Sequence, residues 1–237
     1  MPRRLLAATI AGVFALAGAS ACREQPTVAA YVGDVQLSNA QVERIVDEFK
    51  DANFREQHAG DIREAVVSDF VLNEVGRRIA TERNVPIQAP NLSQYQDMAQ
   101  QDKVPLDSEF VRLVADADAT MQALASISTP AAPTEADQRE VYDSVLADAK
   151  AQGQGAGFPS FDQVKAQIDS PDMRSAFAVR PLLRDGVKKY DVVVNPRYQP
   201  IGIDLPFSVG GVQTRVVIPL GSSGPQAVTD TSSAPQP

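Results

Sequence analysis

The sequence contains a single cysteine, Cys22, and a single histidine, His58, among 237 residues. With one cysteine the chain cannot form an internal disulfide. His58 lies in the polar stretch "REQHAG", which we interpret as a connection between helices. We therefore expect no Ser-His-Asp triad, no Cys-His pair and no His-based zinc site, and we predict no catalytic residue, no cofactor and no metal ion.

The sequence is also poor in basic residues. It has 22 lysines and arginines against 30 aspartates and glutamates, a formal net charge of −8. This balance argues against electrostatic binding to nucleic acid or to an anionic lipid surface. The apolar content of 43% is ordinary for a globular protein and sufficient for a sizeable core.

No apolar run at the start of the chain is long enough to span a membrane. The uncharged run from Leu5 to Ala21 follows two arginines and is shorter than the roughly 20 apolar residues of a membrane-spanning helix. We predict that residues 1–21 are a signal peptide. Its end, "GASAC", resembles the motif of bacterial lipoproteins. The resemblance implies a diacylglycerol and palmitate modification of Cys22 and an extracytoplasmic protein anchored by lipid to the outer face of the cell membrane.

Two other interpretations of Cys22 remain open: an unmodified thiol beside an ordinary cleavage site, and a chance cysteine in an apolar segment. We favour lipidation because a chain with no second cysteine offers no structural use for this thiol. Residues 22–27 would then form a lipidated tether, and its five residues after Cys22, Arg23 to Thr27, span at most about 18 Å, which would keep the folded body close to the membrane.

The segment after the tether predicts a strand, a turn and a helix. "TVAAYVG" and "VQL" read as strands on either side of a Gly-Asp turn. Ser38 and Gln41 then form a capping box, and the apolar residues that follow recur with helical spacing. The long segment 61–83 is apolar around most of its circumference and predicts a central helix.

The rest of the chain continues this pattern. We predict a helix in "DSEFVRLVADADATMQALASI", a helix capped at Thr134, a capping box of Ser160 and Gln163, and a helix from Asp172 to Tyr190 with a break or kink at Pro181. "DVVVNPRY" is β-branched and predicts a strand. Residues 28–206 are expected to form one mainly helical domain, residues 207–220 a β-hairpin, and residues 221–237 a disordered tail.

The predicted fold class is therefore mainly α with a small antiparallel β-sheet. We expect that sheet to form between the segment near Tyr31 and the strand near Val193.

The order of these elements resembles the N-terminal chaperone domain of the SurA and PrsA families. "VAAYVGDVQLSNAQVERIVDEF" is similar to the family segment "VATVNGEPIT...EVDR", "REAVVSDFVLNEVGRRIATERNVPI" to the long helix that follows it, and "FDQVKAQI" to a late helix. The similarity covers residues 28–87 and, more loosely, 134–198. It implies a helical body closed by an N-terminal strand and a returning C-terminal strand.

The resemblance implies a non-catalytic chaperone or holdase for exported proteins, and the expected partners are unfolded or extended segments of such proteins. We expect an apolar groove around the first strand to bind them. An alternative is a scaffold or interaction lipoprotein for one specific envelope partner. A second alternative is a foldase related to peptidyl-prolyl isomerases, although His58 and Cys22 cannot complete the histidine cluster of a parvulin domain.

Two weaker motifs have structural interpretations. Gly153, Gly155 and Gly157 in "GQGAG" follow a predicted helix instead of a strand, which favours a flexible connector over a phosphate-binding loop. The paired acids Asp116 with Asp118, and Asp47 with Glu48, are more typical of a solvated helix face than of a general acid and base.

Overall fold

The computed structural model describes residues 27–151, 153, 155–209 and 212–220. The strands are β1 Val28–Val32, β2 Val35–Ser38, β3 Val192–Val194, β4 Gly202–Val209 and β5 Val212–Pro219. The α-helices are α1 Asn39–Val46, α2 Ala52–Glu82, α3 Gln96–Gln101, α4 Glu109–Ser126, α5 Glu135–Ala151, α6 Phe161–Val164 and α7 Pro171–Lys189. Short 3₁₀ helices cover Leu92–Tyr95, Lys165–Gln167 and Pro196–Tyr198. The predicted fold class, mainly α with small antiparallel sheets, is confirmed.

β1 is the centre of a three-stranded antiparallel sheet in the order β2-β1-β3. Tyr31 pairs with Gln36 on one side and with Val193 on the other, as predicted for the closing strand. Gly33 adopts a positive φ of 62° in the turn between β1 and β2, a conformation that glycine tolerates without strain. The side chain of Asn195 extends the pairing, because its Nδ2 donates to the carbonyl of Val28 at 2.9 Å.

α1 begins as the sequence predicts. The backbone N–H of Gln41 donates to Ser38 Oγ at 3.2 Å, and the N–H of Ser38 donates to Gln41 Oε1 at 2.9 Å, which completes the capping box. The predicted apolar stripe of this segment is buried; its members are Val42, Ile45, Val46 and Phe49.

α2 is the central helix, but it begins at Ala52 and not at Asp61. Its first turn is capped by Asp51, whose Oδ1 accepts from the N–H of Phe54 at 2.9 Å. The prediction that His58 lies in a connection between helices is therefore wrong, since His58 lies within α2. The helix ends as predicted: Asn84 adopts a positive φ of 55°, and the chain leaves the helix there.

α7 is one helix from Pro171 to Lys189, so of the predicted break or kink at Pro181 the break is wrong. Proline removes a helical hydrogen bond and costs about 3 kcal/mol in a helix interior. Val179 and Leu183, two residues before and two residues after it, are buried in the core. Their burial offsets this cost because each buried aliphatic side chain contributes about 1.5–3 kcal/mol.

The hairpin of β4 and β5 is longer than predicted. Residues 202–206, predicted to belong to the helical body, form the first part of β4, and Ile203 pairs with Ile218. The Gly, Asp and Pro residues of this stretch conceal its alternation of buried and exposed side chains. The hairpin packs on the helices: Ser68 Oγ on α2 donates to the carbonyl of Gly202 at 2.8 Å, and Phe177 on α7 meets Phe207 edge-on.

Several predicted segments lie outside the described residues. These are the signal peptide 1–21, Cys22 with the tether as far as residue 26, the two glycines of the hairpin turn, and the tail 221–237. In the part of the chain that the structure describes, none of the helices combines the length and apolar character needed to cross a membrane.

α4 and α7 each cross α2 at a glycine, a residue without a side chain. A Cβ on Gly76 of α2 would lie 2.2 Å from Thr120 Cγ2 of α4. A Cβ on Gly186 of α7 would lie 2.7 Å from Val75 Cγ1 and 2.9 Å from Ile79 Cδ1, both on α2. Such distances are shorter than carbon atoms tolerate, so glycine permits both close approaches.

We expect Gly76→Ala to lower the free energy of unfolding by about 1–3 kcal/mol, because the new methyl group must displace the buried Thr120 side chain. Gly60, in the same helix, has no atom within 4 Å of the equivalent position. Gly60→Ala is therefore the matched control and should raise stability by about 0.5–1 kcal/mol. Urea unfolding followed by circular dichroism measures both, and equal effects of the two substitutions would contradict the packing argument.

Candidate ligand-binding groove

Of the two residues singled out in the sequence, Cys22 and His58, the structure describes only His58. Cys22 lies outside the described residues. The His58 ring lies on α2 at 4.5 Å from the Phe54 ring, and its Nδ1 is 3.5 Å from Asp61 Oδ2. Within the described ranges, no group of three or more His, Cys, Asp and Glu side chains has a geometry that could hold a metal ion.

The paired acids have structural partners. Asp116 forms an ion pair with Arg77 at 2.9 Å, and Asp118 Oδ2 accepts from Tyr95 Oη at 2.8 Å. Glu48 accepts from the backbone N–H groups of Glu109 and Phe110, both at 2.9 Å, and so caps the N-terminus of α4. The sequence interpretation missed this cap, because no local pattern connects Glu48 to the start of α4.

The glycines of "GQGAG" follow α5, as predicted. Gly153 and Gly157 both have positive φ, 74° and 87°, and the N–H of Gly153 donates to the carbonyl of Lys150 at 3.0 Å. This geometry ends a helix and does not join a strand to a helix, which is the arrangement a phosphate-binding loop needs.

One carboxyl has a strongly shifted pKa. Burial raises the pKa of Asp69 on α2 to about 7, and the negative charges of Asp118 and Asp204 add to the rise. Burial also raises the pKa of Asp204 on β4, against the opposing effect of Arg215, whose Nε lies 3.2 Å from its carboxylate. Three elements, α2, α4 and β4, thus bring acidic side chains to the place where the hairpin meets the helical body.

One groove with varied chemistry lies between the linker 129–134 and one side of α7. We call it the linker groove; its volume is about 440 Å³. The linker contributes Ala131, Ala132 and Pro133, and α7 contributes apolar side chains and arginines. The linker joins α4 to α5, so the groove depends on the docking of α4 and α7 against the central helix.

The α7 wall of the linker groove has an apolar part. Phe177 and Pro181 both line the groove and are spaced one helical turn apart, which puts them on the same side of α7. Proline has no N–H, so the carbonyl of Phe177 lacks the hydrogen bond that residue 181 would normally donate to it. The wall therefore offers an aromatic ring and a proline ring.

Three arginines of α7 also line the linker groove. Arg174 donates to both carboxylate oxygens of Asp169, at 2.7 and 2.6 Å. Arg180 donates to both oxygens of Glu140 on α5, at 2.8 and 2.7 Å.

These paired arginines are held firmly, whereas the third is open to solvent. The Arg180 side chain is only 15% exposed, and its buried Nε is a donor without a partner. Arg184 is exposed, and among the described residues it has no ion-pair partner. Sequence reasoning missed this wall, although the spacing of Phe177, Pro181 and Arg184 along one side of a helix was a usable signal.

Two further grooves are less suited to ligands. One, also of about 440 Å³, lies between α2 and residues 197–200, but its Arg63 is already paired with Glu43 and its Tyr198 Oη donates to Asn39. The other, of about 290 Å³, lies between Val85 and α4 and carries no charged residue.

We predicted an apolar groove around the first strand, but β1 is packed into the core. Val28, Ala29, Ala30 and Val32 of β1 are buried in the core, so the space beside this strand is filled by protein side chains. Large exposed apolar residues are few among the described residues: Ile127 is 37% and Val217 is 40% exposed.

Comparisons with protein-family models, with curated proteins and with solved structures returned no match to this chain. The resemblance to the SurA and PrsA families therefore stays a prediction from the sequence.

The raised pKa of Asp69 predicts a pH-dependent stability. A carboxyl with a folded-state pKa of about 7 and an unfolded value near 3.8 binds a proton more tightly in the folded protein, so its effect on stability becomes unfavourable as the pH rises from about 4 to 7. We expect Asp69→Asn to raise the free energy of unfolding by roughly 1–3 kcal/mol at pH 8 and by much less at pH 4.

Urea unfolding at pH 4, 6 and 8 measures this difference. Asp143→Asn on α5 is the control, since it also removes one negative charge but from an exposed position, and should change stability by no more than about 0.5 kcal/mol. A difference between wild-type and Asp69→Asn that stays constant with pH would contradict the assignment.

Proposed function

We propose that this protein is a non-catalytic binding protein of the cell envelope, anchored by lipid at Cys22, that holds an extended segment of an exported protein in the linker groove. The observation that carries the proposal is an open groove of about 440 Å³ that combines apolar rings with the exposed guanidinium of Arg184, which has no ion-pair partner among the described residues. Extended peptides present groups that match these: apolar side chains and charged ends or side chains.

The size of the groove argues for weak binding of a short segment. Burial of apolar surface contributes about 25 cal/mol per Å², and the cost of immobilising a peptide is subtracted from this gain. The polar groups of the groove then decide which segments bind and which do not, because a buried polar group without a partner is costly.

The limited exposed apolar surface favours a selective binder. A holdase for many clients needs a large apolar surface, whereas the described residues expose large apolar side chains only at Ile127 and Val217. We therefore rank a protein that holds one partner, or one class of partner, ahead of a general holdase.

A general SurA-like holdase remains the second candidate. Its support is the order of elements and the pairing of the returning β3 with β1, since the resemblance to the SurA and PrsA domain implies this arrangement. A pull-down from membranes separates the candidates: one dominant protein favours the selective binder, and a broad set of exported proteins favours the holdase.

We expect Ala132→Trp to weaken binding of an unfolded secreted protein at least about tenfold, because an indole at this position fills the linker groove. The measurement is fluorescence anisotropy of labelled, reduced and carboxymethylated lactalbumin with the full-length protein. Ala52→Trp, an identical change at an exposed position outside the grooves, should leave binding unchanged. Equal binding by both variants, or no binding by the wild-type protein, would contradict the proposal.

The anchor is tested independently of the groove. We expect the wild-type protein to incorporate a palmitate analogue in bacterial cells and to sediment with membranes, and Cys22→Ala to lose both properties because no other thiol exists. Label that persists in the Cys22→Ala variant would show that the lipid is not on this residue.

A further inference from the structure

We propose that residues 225–231 add a third strand to the hairpin, antiparallel to β5 and hydrogen-bonded to its outer edge. The proposal goes beyond the proposed function, because it concerns the hairpin of β4 and β5 and not the linker groove. It assigns one occupant to this edge: the segment "PQAVTDT" of this chain, which lies outside the described residues.

The outer edge of β5 has no strand beside it in the part of the chain that the structure describes, where β4 and β5 form a two-stranded sheet. The N–H of Leu220 donates at 2.9 Å to the carbonyl of Ile201, the residue opposite it in the register. Backbone groups in an antiparallel ladder point alternately towards the partner strand and away from it, so those of Arg215 and Val217 point away from β4. These outward N–H and C=O groups can pair with a further strand.

Prolines block the opposite edge of the hairpin but not this one. Pro206 lies in the middle of β4 at a position whose backbone points outward, so the outer edge of β4 lacks a donor there. Pro219 is the last residue of β5, and the rest of that strand contains no proline. Natural sheets use prolines on their edges to prevent strand addition. The hairpin therefore protects the edge of β4 and leaves the edge of β5 open.

The sequence that follows β5 is suited to turn back along this edge. Residues 221–224, "GSSG", have the composition of a hairpin turn. A turn centred between the two serines places Val228 opposite Val217 and Asp230 opposite Arg215. One turn thus defines the register of the whole added strand.

This register suits the side chains of β5. Val217 is 40% exposed, and Val228 of the added strand covers it. Arg215 meets an acid, Asp230, so no like charges face each other across the strands. Arg215 already has Asp204 at 3.2 Å, so the valine pair contributes more to this match than the charges do.

The proline of the added strand also fits the register. Pro225 falls opposite Leu220, whose backbone is bonded to β4. At that position the backbone of the added strand points away from β5, so the missing N–H costs no hydrogen bond of the new ladder. Residues 226–231 contain no further proline.

Proximity favours this segment over a strand from another molecule. A turn of four residues joins it to β5, which gives it an effective concentration of about the mM range at the edge, whereas an exported protein or a second copy must arrive from solution. The segment has too little apolar content to order itself, and the edge supplies the backbone partners that it lacks. The added strand also covers an edge that could otherwise recruit other chains.

Amide hydrogen exchange of the full-length protein, followed for single residues by NMR, tests the proposal. Asp204 and Ser208 are the internal reference, because they hold the matching outward positions on β4. After correction for intrinsic rates, we expect the N–H groups of Arg215 and Val217 to exchange at least about tenfold more slowly than those of the reference residues.

Two proline substitutions test the register. Val228→Pro removes an N–H that donates to β5, so we expect it to abolish the protection of Val217. Thr229→Pro is the matched control, because the N–H of residue 229 points away from β5, and we expect it to leave the protection unchanged within about twofold. Both variants should keep the circular dichroism spectrum of the wild-type protein, since both lie outside the helical body.

The proposal is overturned if Arg215 and Val217 exchange as fast as the reference residues, or if Thr229→Pro has an effect equal to or larger than that of Val228→Pro. It is also overturned if the protection grows with protein concentration, which would identify a second copy at the edge. Protection that appears only when unfolded lactalbumin is added would identify an exported segment instead and would likewise overturn it. The proposed function is tested separately, because neither substitution lies in the linker groove.

Discussion

The close approach of α4 and α7 to the central helix is the constraint on which the rest of the molecule depends. Thr120 of α4 lies so close to α2 that a side chain at position 76 would collide with it. A side chain at position 186 of α7 would likewise collide with Val75 and Ile79 of α2. Packing at this density leaves no freedom to shift a helix by even a methyl group. The linker leaves the end of α4 and the groove wall belongs to α7, so both sides of the linker groove are positioned by contacts with α2.

The features that could be predicted from the sequence are formed by residues that are close to one another in it. The Ser38 and Gln41 box, the stripe from Val42 to Phe49 and the left-handed Asn84 each involve residues within about two helical turns, so a pattern in the sequence defines them. The closing strand was also predictable, because a β-branched run that ends at Asn195-Pro196 can only be a strand or a loop. These features establish the helical body and its small sheet.

The features that were missed or wrongly predicted depend on contacts between residues that are distant in the sequence. Glu48 caps α4 across 61 positions, and no periodicity connects the two. Residues 52–60 are mostly polar, so their helical state depends on the Asp51 cap, on the packing of Phe54 against Phe49 and on continuity with the buried part of α2. Pro181 remains helical because its neighbours are buried, and the groove around the first strand was a wrong expectation because β1 is enclosed by the core. The candidate site was not predicted for the same reason, because its two walls, the linker and α7, lie some 40 residues apart in the sequence.

The two ion pairs behind the groove suggest how it keeps its shape without a ligand. Arg180 ties α7 to Glu140 of α5 with two hydrogen bonds, and Arg174 is held by Asp169 in the loop before α7. Exposed ion pairs contribute little to stability, but the Arg180 side chain is largely buried, so its guanidinium is fixed in one orientation. A wall fixed in advance does not have to be ordered when a segment binds, and this preorganisation lowers the entropic cost of binding. The exposed guanidinium of Arg184 then stands on a helix that folding has already positioned.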